Sequence, residues 1–377
     1  MRVAFEATAL LGPRTGVGEF CFNAVCELNR LPKVQLSVFA VSWRRRNLLA
    51  AALGNNVAVR QLAMPARPLH AMWRRYNFPP VELFVGYADV VHGSNFVVPP
   101  SWRAKRVVTI HDLTPLLFPM VADPSTLIFP SLIQRAIGDG AFVHVPSNFV
   151  AAQVIEYFGA DPSRVFTVYH GVSSNVAQGF KPNGYLVDSV ILEGLGGAPF
   201  VLGLGTIEPR KDFVSFVRAF ELIASTYPDL RLVIAGQPGW GASELAEVIS
   251  SSKYSRRIFC PGYVSASERD WLLSNAEVFV YPSIYEGFGL PPIEAISRGT
   301  AVISSNAGSL PEVLGPAADF FNAGDVSALS DAISILLSDS ARREAQISRA
   351  YSWIERYSWE TCARGLAEIY TSAISEG

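Results

Sequence analysis

Residues 285–295, YEGFGLPPIEA, form the segment best suited to chemistry in this sequence. Glu286 and Glu294 stand on either side of a glycine-containing turn, with seven residues between them. A buried strand is predicted just before it, at 278–281, and the two prolines after the turn are typical of a helix's first turn. Backbone N–H groups at a helix start bind anions, especially phosphate. We interpret the carboxylates as ligands for hydroxyls on each side of a phosphate, the layout of a nucleotide sugar.

A pair of cations, Arg210 and Lys211, follows a predicted strand at 200–204. In a doubly wound fold this edge of the sheet collects the ligand. Fixed cations there would stabilise the negative charge that develops on a departing diphosphate. The alternative is a surface pair at the start of the next helix, a position that disfavours cations.

His111 and Asp112 end a predicted strand at 107–110. The histidine could form a hydrogen bond with a sugar hydroxyl or carry a proton near neutral pH. The alternatives are a structural histidine and an aspartate that only orients the loop backbone. Three other histidines, at 92, 144 and 170, also close strands but lack a second signal, and we interpret them as structural.

A glycine loop at 12–18 joins the first predicted strand to a helix, and Gly16 and Val17 lie in its second half. The motif is an incomplete dinucleotide fingerprint, and no acid ends the second strand to hold a ribose, which argues against a nicotinamide oxidoreductase. The loop could bring backbone close to a phosphate or an acceptor, or be only a tight strand–helix turn.

The composition is that of a globular chain of 377 residues, half of them hydrophobic, which is enough for two domains. The four cysteines show no paired spacing, no signal-peptide pattern opens the chain, and no apolar run is long enough for a membrane span. We therefore expect a cytoplasmic protein.

Charge is unevenly distributed. Residues 1–180 carry a net charge of +6 and residues 181–377 a net charge of −8. Tryptophan lies beside arginine at 43–46, 73–76 and 102–106, a combination that suits anionic lipid headgroups on the inner face of a membrane. The alternative is an ordinary solvated face. No nucleic-acid-binding motif accompanies these clusters, so nucleic acid is not an expected partner.

Short β-branched runs alternate with helical patterns along the whole chain, which predicts α/β architecture with parallel sheets. Strands are predicted at 3–6, 35–41, 57–62, 90–92, 107–110, 142–145, 165–169, 200–204, 232–235, 258–260, 278–281, 301–304 and 320–321. Thirteen strands exceed one comfortable sheet, so we expect two doubly wound Rossmann-like domains, 1–180 and 181–357, with ligand in a central cleft. Ser358 is the expected N-cap of a last helix at 358–377.

Several motifs are absent. The sequence contains no D-x-D, no P-loop and no G-x-S-x-G, which disfavours a metal-bridged nucleotide sugar, P-loop kinases and α/β-hydrolases. We therefore expect no metal and no other cofactor.

With these motifs, the chain resembles the family 4 retaining glycosyltransferases of GT-B fold over effectively its full length. The specific element is the glutamate pair around 287–291; the glycine loop, the histidine and the Arg210-Lys211 turn support it. The resemblance implies an N-terminal acceptor domain, a C-terminal nucleotide-sugar domain, and a last helix that crosses back to the first domain. It also implies front-face transfer with retention, in which the leaving phosphate accepts the acceptor's proton.

The resemblance further implies the following roles. Glu294 would hold the ribose and Glu286 the transferred sugar, and Arg210 and Lys211 the diphosphate. The remaining donor contacts would be Gly16, Gly262, Tyr263, Val264, Gly287, Phe288, Gly289 and Leu290. His111 would lie near the sugar, and the acceptor side would include Gly16, Val17 and Asp112.

One departure concerns Thr206, where many members carry arginine. The form Gly-Thr-x-Glu-Pro-Arg-Lys is similar to bacterial mannosyltransferases of surface-polysaccharide assembly, which favours GDP-mannose as donor and a saccharide or lipid-linked saccharide as acceptor. The alternatives are a GT-B nucleotide-sugar epimerase or hydrolase, which would turn over donor alone, and a non-catalytic nucleotide-sugar-binding protein.

Overall fold

The structure is a computed structural model that describes residues 1–12, 14–45, 47–54, 57–172 and 189–376. The chain divides into two compact units. Unit 1 comprises Met1–Gly171 and Tyr357–Gly377, and unit 2 comprises Val172–Arg356. The domain boundary predicted at 180/181 falls outside the described residues.

Unit 1 is built on a seven-stranded parallel sheet in the order β3-β2-β1-β4-β5-β6-β7. Its strands are β1 Arg2–Glu6, β2 Gln35–Phe39, β3 Ala58–Arg60, β4 Val90–Gly93, β5 Lys105–Thr109, β6 Phe142–Val145 and β7 Val165–Thr167. Both faces of the sheet are covered, so the central strands are almost entirely apolar. The strand order reverses between β1 and β4, which places the switch point beside Glu6 and Gly93.

The helices of unit 1 cover both faces of this sheet. They are α1 Gly16–Leu28, α2 Leu48–Leu53, α3 Ala66–Tyr76, α4 Glu82–Val85, α5 Thr114–Leu117, α6 Phe129–Gly138 and α7 Asn148–Phe158, with single 3₁₀ turns at Thr8–Leu11, Pro119–Val121, Pro124–Thr126 and Pro162–Arg164. Helix α7 shows why they begin and end where they do. Ser147 caps its first turn by accepting from Val150 N, and Gly159 ends it in the left-handed conformation.

Unit 2 repeats the plan with a six-stranded parallel sheet in the order β10-β9-β8-β11-β12-β13. Its strands are β8 Phe200–Leu204, β9 Arg231–Ala235, β10 Ile258–Gly262, β11 Val278–Tyr281, β12 Val302–Ser305 and β13 Asp319–Phe321. Its helices are α8 Ser189–Leu195, α9 Phe213–Ile223, α10 Ala242–Ser251, α11 Ala266–Asn275, α12 Leu290–Ser297, α13 Leu310–Leu314, α14 Val326–Ser338 and α15 Ser340–Ile354, with 3₁₀ turns at Pro209–Lys211, Ser255–Arg257 and Gly315–Ala317.

The last helix, α16 Trp359–Ser375, belongs to unit 1, where it packs on α1 and on β4, β5 and β6. Ser358 is its N-cap, as expected, and accepts a hydrogen bond from Thr361 N at 3.1 Å. Gly171 must be glycine at this point, because a Cβ there would lie 2.2 Å from Trp359 N. The prediction of two doubly wound parallel-sheet domains is confirmed, and all thirteen predicted strands exist with ends shifted by up to two residues.

Candidate functional site

Three loops run together at the carboxyl edge of the sheet in unit 2. Gly205 N donates to Ala235 O at 3.0 Å, and Gly236 N donates to Gly262 O at 2.8 Å. A Cβ on Gly236 would lie 1.9 Å from Gly205 O, so the loops after β8 and β9 approach each other through glycine. This packing brings the predicted base-binding segment, which begins at Gly262, close to the loop that carries the two cations.

Arg210 and Lys211 lie in the 3₁₀ turn between β8 and α9. The N-cap of α9 is Asp212, whose carboxylate accepts from Ser215 N at 3.2 Å. An acid therefore caps the positive end of the helix dipole. The two cations do not cap this helix. Arg210 O accepts a hydrogen bond from Ile284 N at 2.9 Å, which links this turn to the loop after β11.

Both cations converge on one carboxylate. Lys211 Nζ lies 2.5 Å from Glu286 Oε1, and an Arg210 guanidinium nitrogen lies 2.8 Å from the same oxygen. The arginine also donates to Glu208 Oε1 at 2.5 Å and to Tyr285 O at 2.7 Å. Only 7% of Lys211 and 7% of Glu286 are exposed, so this is a buried cluster of charges rather than a surface pair.

Electrostatics keep Glu286 ionised in this cluster. Burial raises the pKa of Glu286, but Arg210 and Lys211 outweigh burial and lower it to about 2. Burial lowers the pKa of the Lys211 ammonium, and Glu286 opposes that shift. The ionised Glu286 carboxylate therefore holds the Arg210 and Lys211 cations in a site with little water. A diphosphate bound there would interact strongly with the two cations, because solvent screening is weak.

Tyr281, the last residue of β11, completes the cluster, although sequence reasoning placed it only in a buried strand. Its hydroxyl accepts from Lys211 Nζ at 2.6 Å and donates to Glu286 Oε1 at 3.0 Å. Burial raises the pKa of this phenol well above its usual range, so the O–H stays protonated. Its place at the carboxyl end of a parallel strand is where ligand-facing groups collect, but a tyrosine that ends an apolar run looks like a core residue in the sequence.

Glycine at 308 is a second feature that the sequence did not reveal. Gly308 has φ +61°, and a Cβ there would lie 2.4 Å from Glu286 O and 2.7 Å from Glu286 N. The next residue, Ser309, donates its N–H to Glu286 O at 2.9 Å. The loop between β12 and α13 thus contacts the backbone of Glu286 directly and holds it in place.

The second glutamate lies on a helix rather than in the cluster. Glu294 is on α12, and its carboxylate pairs with an Arg269 nitrogen of α11 at 3.6 Å. Helix α12 begins after Gly289, which has φ +91°, as the predicted glycine turn requires. The other predicted anion-binding residues lie at this start of α12 (Gly287, Phe288, Leu290).

The predicted base-binding segment ends β10. Gly262 has φ +79° with open space where a Cβ would be, Tyr263 is exposed and Val264 is buried. Because Gly262 has no side chain to cover its backbone, main-chain groups of this segment could contact a nucleotide base. The roles of all these residues in ligand binding remain predictions.

In unit 1, the predicted acceptor-side residues lie at the carboxyl edge of the sheet. His111 Nε2 donates to Ser94 O at 2.8 Å, and burial lowers the pKa of the imidazole to about 4. The ring is therefore neutral at pH 7, which favours a hydrogen-bonding role over a proton-carrying one. Asp112 accepts from Thr114 N at 2.8 Å, a loop-orienting contact. Gly16 is exposed and Val17 half-buried, both in the first turn of α1.

Two of the other strand-end histidines, His92 and His144, form a buried hydrogen-bond chain. His144 Nε2 lies 3.0 Å from Val168 O, which only accepts, so Nε2 carries the proton. His144 Nδ1 then accepts from Thr109 Oγ1 at 2.8 Å. The Thr109 hydroxyl in turn accepts from His92 Nε2 at 2.7 Å, and His92 Nδ1 accepts from the Tyr370 hydroxyl at 2.6 Å. This chain links α16 to three strands, and it agrees with a structural interpretation of these histidines.

The tryptophan–arginine clusters differ in exposure. Trp43 and Trp102 are exposed, but Trp73 is only 2% exposed and donates its indole N–H to Pro79 O at 3.0 Å. Trp73 is thus a core residue of α3, because it lies on the helix's inner face. Pro13 of the glycine loop and Arg46 of the first cluster lie outside the described residues.

Nowhere in residues 1–172 and 189–376, apart from the gaps given above, do three His, Cys, Asp or Glu side chains group as metal ligands would. Within the same ranges, every helix is too short or too polar to cross a lipid bilayer.

Comparison with known proteins agrees with this geometry. The family model described as "Glycosyltransferase Family 4" matches residues 14–176, and the one described as "Glycosyl transferases group 1" matches residues 193–353. O-antigen chain mannosyltransferase B of Escherichia coli is 29% identical over 98% of this chain and 99% of its own length. Serotype-specific mannosyltransferase WbdA of Escherichia coli is 31% identical over 77% of this chain, which spans 36% of that protein's length.

A solved structure of Anabaena HepE in complex with UDP-glucose superimposes on this chain with a TM-score of 0.75. The match covers 99% of this chain and 100% of that chain at 17% identity, which shows a shared fold. The chain belongs to glycosyltransferase family 4, and it is a glycosyltransferase of GT-B fold.

Proposed function

We propose that this enzyme transfers mannose from GDP-mannose to a saccharide or lipid-linked saccharide acceptor in polysaccharide biosynthesis, with retention of configuration. The observation that carries the proposal is the buried cluster in which Arg210 and Lys211 meet Glu286 at the carboxyl edge of a parallel sheet. The mannose assignment draws on two relatives named mannosyltransferases and on the Gly-Thr-x-Glu-Pro-Arg-Lys sequence.

The donor diphosphate is bound by the cations. Arg210 forks two oxygens and Lys211 acts as a point charge, while the N–H groups at the start of α12 add further donors. Because the diphosphate takes the place of the carboxylate as counter-ion, Glu286 turns to the hydroxyls of the sugar. Glu294 binds the ribose, and the segment Gly262, Tyr263 and Val264 meets the base.

Transfer needs no enzymic nucleophile. The bond from the anomeric carbon to the diphosphate oxygen breaks as the acceptor oxygen bonds to the same face of that carbon. The acceptor's proton passes to the leaving phosphate oxygen. The single N–H of neutral His111, on Nε2, donates to Ser94 O, so the ring accepts a hydrogen bond from a sugar hydroxyl through Nδ1. Gly16, Val17 and Asp112 contribute to the acceptor side. The two cations supply the charge neutralisation that a metal ion provides in other enzymes, so no metal is required.

The test is a thermal-shift panel of UDP-, GDP-, ADP- and dTDP-sugars, followed by transfer assays with the best donor. A ligand that binds only the native state raises the melting temperature by mass action, so GDP-mannose should give the largest shift. The product should be an α-mannoside by NMR, and activity should persist in EDTA. Turnover of donor without acceptor, or a larger shift with another sugar nucleotide, would contradict the proposal.

We also propose that unit 1 contacts anionic lipid on the cytoplasmic face of the membrane. Residues 28–81 contain nine Lys or Arg residues and no Asp or Glu. Within this stretch, α3 buries Leu69 and Trp73 and presents an outer face of Arg67, Met72, Arg74, Arg75 and Tyr76. A basic amphipathic helix with exposed aromatic and thioether groups suits the headgroup region of an anionic bilayer, where a lipid-linked acceptor would reside.

A further inference from the structure

We propose that Tyr281 is a positioning residue for sugar transfer: its hydroxyl fixes the Glu286 carboxylate once the donor diphosphate has engaged the two cations. The inference rests on the proposed function, and it assigns a role to a residue with no direct contact to the reacting atoms.

The hydrogen-bond direction is set by chemistry. An ammonium group only donates and a carboxylate only accepts, so the Tyr281 hydroxyl accepts from Lys211 at 2.6 Å and points its proton at Glu286 Oε1, 3.0 Å away. The Lys211 ammonium also lies 4.7 Å from the centroid of the tyrosine ring. One side chain thus contacts both charges of the central ion pair.

The tyrosine is held rigidly. It is 1% exposed, its ring stacks on Phe279 with centroids 6.1 Å apart, and its backbone pairs with Ser304 of β12. A Cβ built on Gly289 would lie 3.8 Å from the ring, so the start of α12 passes close above it. The hydroxyl therefore has a fixed place at the end of a central strand.

The neutral hydroxyl behaves differently from the cations when donor binds. In the structure, Oε1 of Glu286 is contacted by Arg210, Lys211 and Tyr281. A diphosphate draws the cations toward its own charge, whereas an uncharged phenol anchored in a strand stays where it is. The phenol then remains as a donor that keeps the carboxylate ionised and aimed at the sugar hydroxyls.

The first test is Tyr281→Phe, which keeps the ring, its packing and its face toward the lysine. A hydrogen bond to a charged group is lost, so kcat/KM for GDP-mannose should fall roughly 10- to 100-fold. Affinity for GDP, which lacks the sugar, should stay within about twofold of wild type by calorimetry.

A matched control is Tyr370→Phe, which removes another buried, hydrogen-bonded tyrosine hydroxyl, in unit 1. It should leave kcat/KM unchanged at temperatures where it is folded. A purely structural hydroxyl at 281 would make the two variants alike. Wild-type kcat/KM in Tyr281→Phe would overturn the inference, as would equal losses in GDP affinity and in kcat/KM.

A double-mutant cycle tests whether Tyr281 acts through Glu286. In a Glu286→Gln background, Tyr281→Phe should cause no further loss, and an independent further loss would overturn the inference. If Tyr281→Phe does not fold, 3-fluorotyrosine at 281 replaces it. That side chain keeps the shape of the ring and donates more strongly to Glu286, so kcat/KM for GDP-mannose should change while GDP affinity stays within about twofold of wild type. An unchanged kcat/KM would overturn the inference. A wild-type enzyme inactive with every sugar nucleotide would overturn the proposed function as well.

Discussion

Lys211 and Glu286 form an ion pair, with 2.5 Å between Nζ and Oε1, in a site from which most water is excluded. The two residues are 75 positions apart in sequence, and they come together because the loops after β8 and β11 leave neighbouring parallel strands at the same edge. A carboxylate that already neutralises the cations keeps the donor-free enzyme from burying uncompensated charge.

The first prediction concerns Lys211→Ala. The variant should fold, because Arg210 still pairs with Glu286 at 2.8 Å, but turnover should fall by about 10²- to 10³-fold, since a fixed cation facing the leaving diphosphate is lost. Steady-state kinetics and the melting temperature check this expectation. Lys253→Ala, which removes an exposed lysine of unit 2, is the control and should be silent. Near-wild-type transfer by Lys211→Ala would count against the diphosphate role.

Much of this architecture was predictable from sequence, because parallel strands that are buried on both faces consist of short runs of β-branched residues. The position of Arg210 and Lys211 followed from the rule that strand carboxyl ends face the ligand. Their direct pairing with Glu286 was not predictable, since it depends on which strands are neighbours. Tyr281 was missed because a hydroxyl at the end of an apolar run has the same sequence signature as a core residue.

Stability should decrease as the pH falls below about 6.5. Burial lowers the folded-state pKa of His111 to about 4 and that of His144 to about 3, while the unfolded chain titrates near 6.5. Between these values the unfolded state binds more protons, so stability is complete above the unfolded pKa and decreases toward lower pH. Each of these two histidines should cost about 2 kcal/mol between pH 7 and pH 5.

Urea denaturation of the full chain at pH 7 and pH 5 measures that loss. His144→Gln provides the matched variant, because its amide donates to Val168 O and accepts from Thr109 while carrying no titrating group. The pH dependence of its unfolding free energy should be smaller than that of wild type by about 2 kcal/mol. An identical pH dependence in the two proteins would show that His144 titrates normally when folded.

The α3 surface should bind anionic vesicles electrostatically. Charge reversal at Arg67, Arg74 and Arg75 should abolish sedimentation with vesicles rich in anionic lipid at low salt, because about 1 kcal/mol of attraction is lost for each basic residue near the surface. Wild-type binding should weaken as salt rises. Charge reversal at three exposed arginines of unit 2 (Arg218, Arg349, Arg356) is the control. Equal loss of binding in both variants, or no binding by wild type, would contradict this assignment.

Alanine at Gly308 and at Gly324 distinguishes the effect of backbone strain from the effect of moving the Glu286 carboxylate. Gly308 and Gly324 both have positive φ, +61° and +81°, so alanine strains either position by roughly 1 kcal/mol. A Cβ at 324 meets nothing within 4 Å, whereas a Cβ at 308 would collide with the backbone of Glu286. Gly324→Ala should therefore lose only stability, and Gly308→Ala should also lose kcat, because the carboxylate is displaced from both cations. Thermal melts and steady-state kinetics of the two variants measure these effects. If both variants retained wild-type kcat, the loop after β12 would have no part in placing Glu286.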